Sequence, residues 1–167
     1  EGDARGLAVA EATGSSGGVL GAGFEFTRAA VTAGGTVAAH VDAGAALTAG
    51  ADVFIEAASF TTATGTARTS GGGILSHGDA TAEVEISRDV AAEVGASAAV
   101  TAGRDVSLRA DNRLHGTTTT EATGGGGLAA VESDGTVNIE HATSVEVGSG
   151  AAVAAGEDLL ATAAARF

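Results

Sequence analysis

The chain has 167 residues and a formal net charge of −13, with eight arginines and no lysine. That balance excludes a nucleic-acid interface, which needs clustered basic side chains against phosphate. The absence of cysteine excludes a disulfide framework and a thiolate metal site, and no run of about 18 apolar residues marks a membrane span.

The chain opens on Glu1-Gly2-Asp3, with neither an initiator Met nor a signal peptide. The natural N-terminus and any export signal are expected to lie outside it. The first elements are polar–apolar alternations broken by a Gly-rich stretch, Ser15-Ser-Gly-Gly-Val19. Phe24-Glu25-Phe26 follows, then strand-like runs around Val31 and Val41. The phrase Leu47-Thr-Ala-Gly-Ala-Asp52-Val53 closes the unit. It returns as Val100-Thr-Ala-Gly-Arg-Asp105-Val106 and as Val153-Ala-Ala-Gly-Glu-Asp158-Leu159, at intervals of 53 residues. A fixed period in this range is the mark of stacked repeats, each of which buries its apolar face only against a neighbour. The chain reads as one continuous segment, 1–167, with approximate units 7–60, 61–113 and 114–167.

Within the unit the apolar register holds: Val31, Val84 and Val137 coincide, as do Val41, Val94 and Val147, and Val53, Val106 and Leu159. Polar or small residues lie between them. A period of two with β-branched residues on one face is a half-buried strand. Recurrent Gly opposes helix despite the alanine content. A disordered linker is the competing reading, since Leu, Ile, Val and Phe number only 34 of 167. The sustained register argues against it.

A shorter match lies inside the first. Thr32–Val41 resembles Thr48–Ala57 at +16, and Arg88-Asp89-Val90 resembles Arg104-Asp105-Val106. The expectation is three coils per 53-residue unit, two of 16 and one of about 21. That makes about nine coils and an all-β parallel solenoid on the order of 43 Å long at ~4.8 Å per coil. In that register His40 lies over Glu56 and Glu93 over Arg109. The interval from the Gly-rich apolar residue to the next strand is 12, 10 and 9 residues, counted Val19 to Val31, Ile74 to Val84 and Leu128 to Val137. This predicts a surface loop of variable length on one edge. In the first unit the loop carries Phe24 and Phe26, which either cover a coil edge or make a lateral contact.

Candidate sites are few. Asp52, Asp105 and Asp158 form a ladder that suggests calcium, which takes several clustered oxygens. At three coils apart they would be about 14 Å from one another, so they read instead as turn residues whose carboxylates accept backbone N–H groups. His40, His77, His115 and His141 are scattered over the unit and form neither a metal motif nor a triad with Ser or Thr and a carboxylate. The Gly-rich runs lack the Lys-Ser/Thr ending of a phosphate loop. The Thr runs at 61–64 and 117–120 do not recur in the third unit, against a regular ice-binding rank. No cofactor, metal or catalytic residue is expected.

The segments Ala49-Gly-Ala-Asp-Val-Phe-Ile-Glu-Ala57 and Ala102-Gly-Arg-Asp-Val-Ser-Leu-Arg-Ala110 resemble repeats of filamentous-haemagglutinin-like exoproteins. Ala12-Thr-Gly-Ser-Ser-Gly-Gly-Val19 and Ala67-Arg-Thr-Ser-Gly-Gly-Gly-Ile74 are similar to leukotoxin-type filamentous adhesin repeats of the same broad group. The resemblance implies a right-handed parallel β-helix, secretion across a bacterial envelope and a fibrous or adhesive role at the cell surface, with no catalytic residue. It fits a chain with no apparent capping element, stacked end to end on copies of itself or on further repeats, and in contact with surface glycans. An enzyme or carbohydrate-binding β-helix is the alternative. The scarcity of aromatics, five Phe without Trp or Tyr, opposes it.

Overall fold

A computed structural model describes residues 2–17 and 22–167, with side chains from Arg5 onward. Eight strands follow one another: β1 (Gly2–Gly17), β2 (Ala22–Val41), β3 (Ala46–Ala49), β4 (Val53–Val94), β5 (Ala99–Ala102), β6 (Val106–Val147), β7 (Ala152–Ala155) and β8 (Leu159–Arg166). All described pairings are parallel and form two stacks, β1 and β2 on β4, then β6, then β8, and separately β3-β5-β7. The molecule is an all-β parallel solenoid.

The register defines the coil. Val53 pairs with Val106 and Val106 with Leu159, Val31 with Val84, and Val100 with Val153. From β2 onward each pairing joins a residue to the one 53 further on, so one 53-residue repeat makes one full circuit. The expected division into three coils per repeat is not what forms, nor are nine coils: the chain makes three circuits and begins a fourth. At ~4.8 Å per layer the stack is about 14 Å tall, not 43 Å. Residues related by +16 do not stack. His40 lies beside Glu93, and Glu56 beside Arg109.

Each circuit is flat. The first half of β4 runs out (53–72), turns at Gly73-Ile74 and returns (75–94). Inward residues alternate with outward ones on both legs, as the period-two pattern requires. Ala63, Ala67, Ala80 and Ala82 are completely buried between the two legs. Such small side chains let the walls approach closely, and this end of the circuit is thin. The other end is wider. There the short strands β3, β5 and β7 add a third side, and Ile55, Val90, Val94, Val100, Val106 and Leu108 fill the space. Ile86, in the thinner part, has no exposed surface.

Two turns explain particular residues. At the thin edge Gly73 and Gly126 have φ of 145° and 146°, and a Cβ on Gly126 would stand 1.6 Å from the Gly73 carbonyl oxygen. Only glycine permits these turns to stack. At the opposite corner Gly44, Ser97 and Gly150 occupy equivalent places with φ of 72°, 58° and 71°. Ser97 therefore adopts a left-handed conformation that its two glycine counterparts adopt freely.

The variable loop resolves differently from the expectation. Gly17 pairs with Gly72 at +55, whereas Ala22 pairs with Leu75 at +53, so two extra residues fall between Gly17 and Ala22. Val19 lies in that stretch, outside the described residues. The second and third circuits do not differ in length, because Leu75 rather than Ile74 stands under Leu128. Phe24 and Phe26 lie in β2 rather than in a loop, side by side with His77 and Asp79.

Candidate interaction surface

The aspartates of the recurring phrase stack at one corner of the circuit. Asp158 N–H donates to Asp105 Oδ1 at 3.1 Å, and Asp105 N–H to Asp52 Oδ1 at 3.4 Å. They are immediate neighbours along the axis, not residues 14 Å apart, because the circuit is 53 residues long. The carboxylates of Asp52 and Asp105 thus each bind the backbone of the next circuit. Arg104 adds a two-point contact to Asp52, with Nε 3.0 Å from Oδ1. That hydrogen bond, more than any other influence, holds the Asp52 carboxyl below its ordinary range and raises the Arg104 guanidinium. Among the described residues no group of three or more His, Asp, Glu or Cys is placed to hold a metal ion.

The outward faces of the two legs carry different charge. On the returning leg, alternate outward positions of β4 hold Asp79, Glu83, Glu85, Asp89 and Glu93. Their neighbours on β6 include Glu132, Asp134, Glu140 and Glu146. Against these nine carboxylates the described part of this wall has one arginine, Arg28, giving a net of −8. Arg28 Nη2 contacts Glu83 Oε2 at 2.5 Å, and this bond raises the Arg28 guanidinium.

On the outgoing leg the described outward side chains include Arg5, Arg68, Arg109, Arg113 and Arg166 against Glu11, Glu56, Asp111 and Glu121, a net of +1. The positive charge is concentrated. Arg113 and Arg166 are direct neighbours on adjacent strands, with Phe60 below Arg113. Arg109 and Arg113 both donate to Asp111 Oδ2, at 3.0 and 3.2 Å, and cover its carboxylate to 8% exposure. Two guanidiniums thus share one acid, and Arg166 has no ionic partner among the described residues.

The residues expected at a lateral edge lie on the acidic wall near the thin end. Phe24 and Phe26 are 64% and 68% exposed and sit beside the His77 ring, with centroids 6.5 and 5.7 Å away. Phe24, Leu75, His77 and Leu128 line an open hollow of about 380 Å³. The four histidines are not brought together. His40 and His77 are outward on the acidic wall, and His115, on the arginine wall, bonds Thr117 at 3.2 Å. His141 packs on Phe167.

Sequence reasoning missed one element. Arg88 occupies an inward position where the wide and thin parts of the interior meet. Its Nε donates to Thr61 Oγ1 at 3.2 Å, and the Asn112 amide donates to its carbonyl at 3.1 Å. The guanidinium lies over Gly35 and Gly6, where added Cβ atoms would be 2.9 and 3.4 Å from it. The +53 alignment of Gly35 with Arg88 was the available signal, a large residue following the smallest one in the same column.

No protein-family model, curated protein or solved structure matches this chain.

Proposed function

We propose that the chain is a structural and adhesive repeat segment of an extracellular microbial surface fibre, without catalytic activity. The observation that carries the reading is the state of the axial columns. Val84 and Val94 are almost wholly buried, yet their neighbours in the last full circuit, Val137 and Val147, are 40% and 52% exposed. Leu159, over buried Val106, is 55% exposed. The same apolar columns that hold circuits together end in uncovered side chains beside unpaired strand backbone, a template for another parallel circuit. In this reading a second copy of the chain adds such a circuit. The mechanism is mechanical: parallel ladders carry load along the axis, and the walls meet other surfaces. The resemblance to filamentous exoprotein repeats supports the location at the cell surface, with surface glycans as partners.

Electron microscopy and fibre diffraction of purified material test this. Filaments with a layer line near ~4.8 Å along the axis are the expected result. Compact particles that do not elongate at any concentration contradict it.

A further inference from the structure

The geometry points to a second mode of self-association, in which the arginine wall of one copy docks on the acidic wall of another. It concerns the walls rather than the ends of the stack, and it stands whether or not the ends join.

Three observations carry it. The charge of this acidic protein is unevenly divided: among the described residues nine carboxylates and one arginine lie on the outward face of the returning leg, while five arginines and four carboxylates are outward on the other. The concentration of Arg113 and Arg166 in one column, with a single acid shared by Arg109 and Arg113, leaves positive charge unneutralised. Stacked guanidiniums repel each other, and an opposing carboxylate from outside relieves that repulsion. Second, both walls belong to the same ladder, so their charges have the same axial spacing. Two copies with aligned axes bring the column of Arg113 and Arg166 against acidic columns such as Asp79 with Glu132 and Glu93 with Glu146, in matching pitch. Third, the area suffices. A wall of three strands at ~4.8 Å, about eighteen residues wide at ~3.3 Å each, covers on the order of 800 Å², the size each partner contributes to a standard interface.

The contact is heterologous, because the two walls differ. With the two walls on opposite faces of a flat circuit and the axes aligned, successive contacts involve little rotation and propagate into open rows rather than closed rings. Charge complementarity also makes the association dependent on ionic strength. Wall-to-wall docking places solenoids side by side, so a fibre built this way thickens laterally in addition to any axial growth.

Sedimentation velocity at ~20 mM and ~500 mM NaCl tests the proposal, with three forms of the chain: wild type, a basic-wall reversal (Arg113→Glu with Arg166→Glu) and an acidic-wall reversal (Glu85→Arg with Glu132→Arg). Circular dichroism first establishes that each retains the β signal; should Arg113→Glu abolish it, Arg166→Glu alone replaces the double change. Wild type is expected to form larger assemblies at low salt than at high salt, where only end-to-end association remains. Each reversal alone is expected to lose this salt-dependent association, and an equimolar mixture of the two to regain it, since each then offers the wall the other lacks. Wild type that stays monomeric at low salt overturns the proposal. So does association that persists unchanged at high salt, which is the behaviour of apolar end-to-end stacking, or failure of the mixed reversals to associate. Binding of a soluble sulfated polysaccharide to the arginine wall without self-association overturns it in favour of a polyanionic partner.

Discussion

Asp158 N–H and Asp105 Oδ1, 3.1 Å apart, join two residues that are 53 positions apart in the chain and adjacent along the axis. The bond is repeated one circuit below, from Asp105 N–H to Asp52. A side-chain acceptor at a corner fixes the axial register where the strands are interrupted, and the flanking ladder, with Val106 N–H on the Asp158 carbonyl at 2.9 Å, continues it. Asp105→Ala removes one acceptor and leaves the Asp158 N–H to water. It is expected to cost about 1 kcal/mol, with Asp105→Asn costing less, as read by chemical denaturation.

Asp52 gives this corner a defined acid sensitivity. Its carboxyl is held below the ordinary value chiefly by the hydrogen bond from Arg104. A depressed folded-state value contributes stability that is fully present above the unfolded carboxyl pKa, near ~3.9, and lost as pH falls through the lower folded value. Arg104→Gln is therefore expected to destabilise the protein at neutral pH and to lose less on acidification than wild type. Thermal melts from pH 6 down to pH 2 compare the two.

Ser97 holds φ of 58° where Gly44 and Gly150 hold the equivalent turns. Relief of its left-handed conformation is offset in part by the greater chain entropy of glycine. Ser97→Gly is expected to stabilise by about 0.5–1 kcal/mol. An unchanged or lower denaturation midpoint counts against strain at this corner.

The glycines under Arg88 and the arginine itself form one unit. Gly35 has φ of 140°, and a Cβ there would stand 2.9 Å from Arg88 Nη1. Gly35→Ala is expected to cost about 1–3 kcal/mol through strain and crowding. Arg88→Ala removes the crowding but not the strain. The double variant is expected to be more stable than the sum of the two single losses implies, and denaturant titrations of the four forms give the coupling.

Position along the axis should grade the cost of core truncation. Val84 is 2% exposed and Val137, its neighbour in the same column, is 40% exposed. Val84→Ala is expected to cost about 2 kcal/mol and Val137→Ala less than about 1 kcal/mol. Equal losses in an unassociated sample contradict the description of Val137 as an uncovered column end.

The parallel β architecture was legible because the columns of Val31, Val84 and Val137 and of Val53, Val106 and Leu159 preserve a strand period across the repeat. The circuit length was not. The match of Thr32–Val41 with Thr48–Ala57 is genuine, but it relates two parts of the same circuit. A corner followed by a strand occurs more than once around the section and calls for similar local residues each time: small residues at the turn, then β-branched residues facing in. Local similarity of that kind carries no information about what stacks on what. The same limit displaced the aspartates and assigned Phe24 and Phe26 to a loop. The division of charge between walls was in the sequence throughout, as Glu83 and Glu85 against Arg109 and Arg113. It became visible only once the alternation was tied to two opposed legs.

Cysteine cross-linking tests the 53-residue circuit most directly, since the chain has no native cysteine to interfere. His40→Cys with Glu93→Cys joins outward positions that are direct neighbours in the ladder. Glu93→Cys with Arg109→Cys joins positions related by +16, which lie on different walls. Under mild oxidation at high dilution, the first pair is expected to form an intramolecular disulfide, its Cα atoms lying at the ~4.8 Å strand spacing that such a bond accepts, and the second is expected to stay reduced. Ready cross-linking of Glu93→Cys with Arg109→Cys, and none between His40→Cys and Glu93→Cys, would contradict the circuit described.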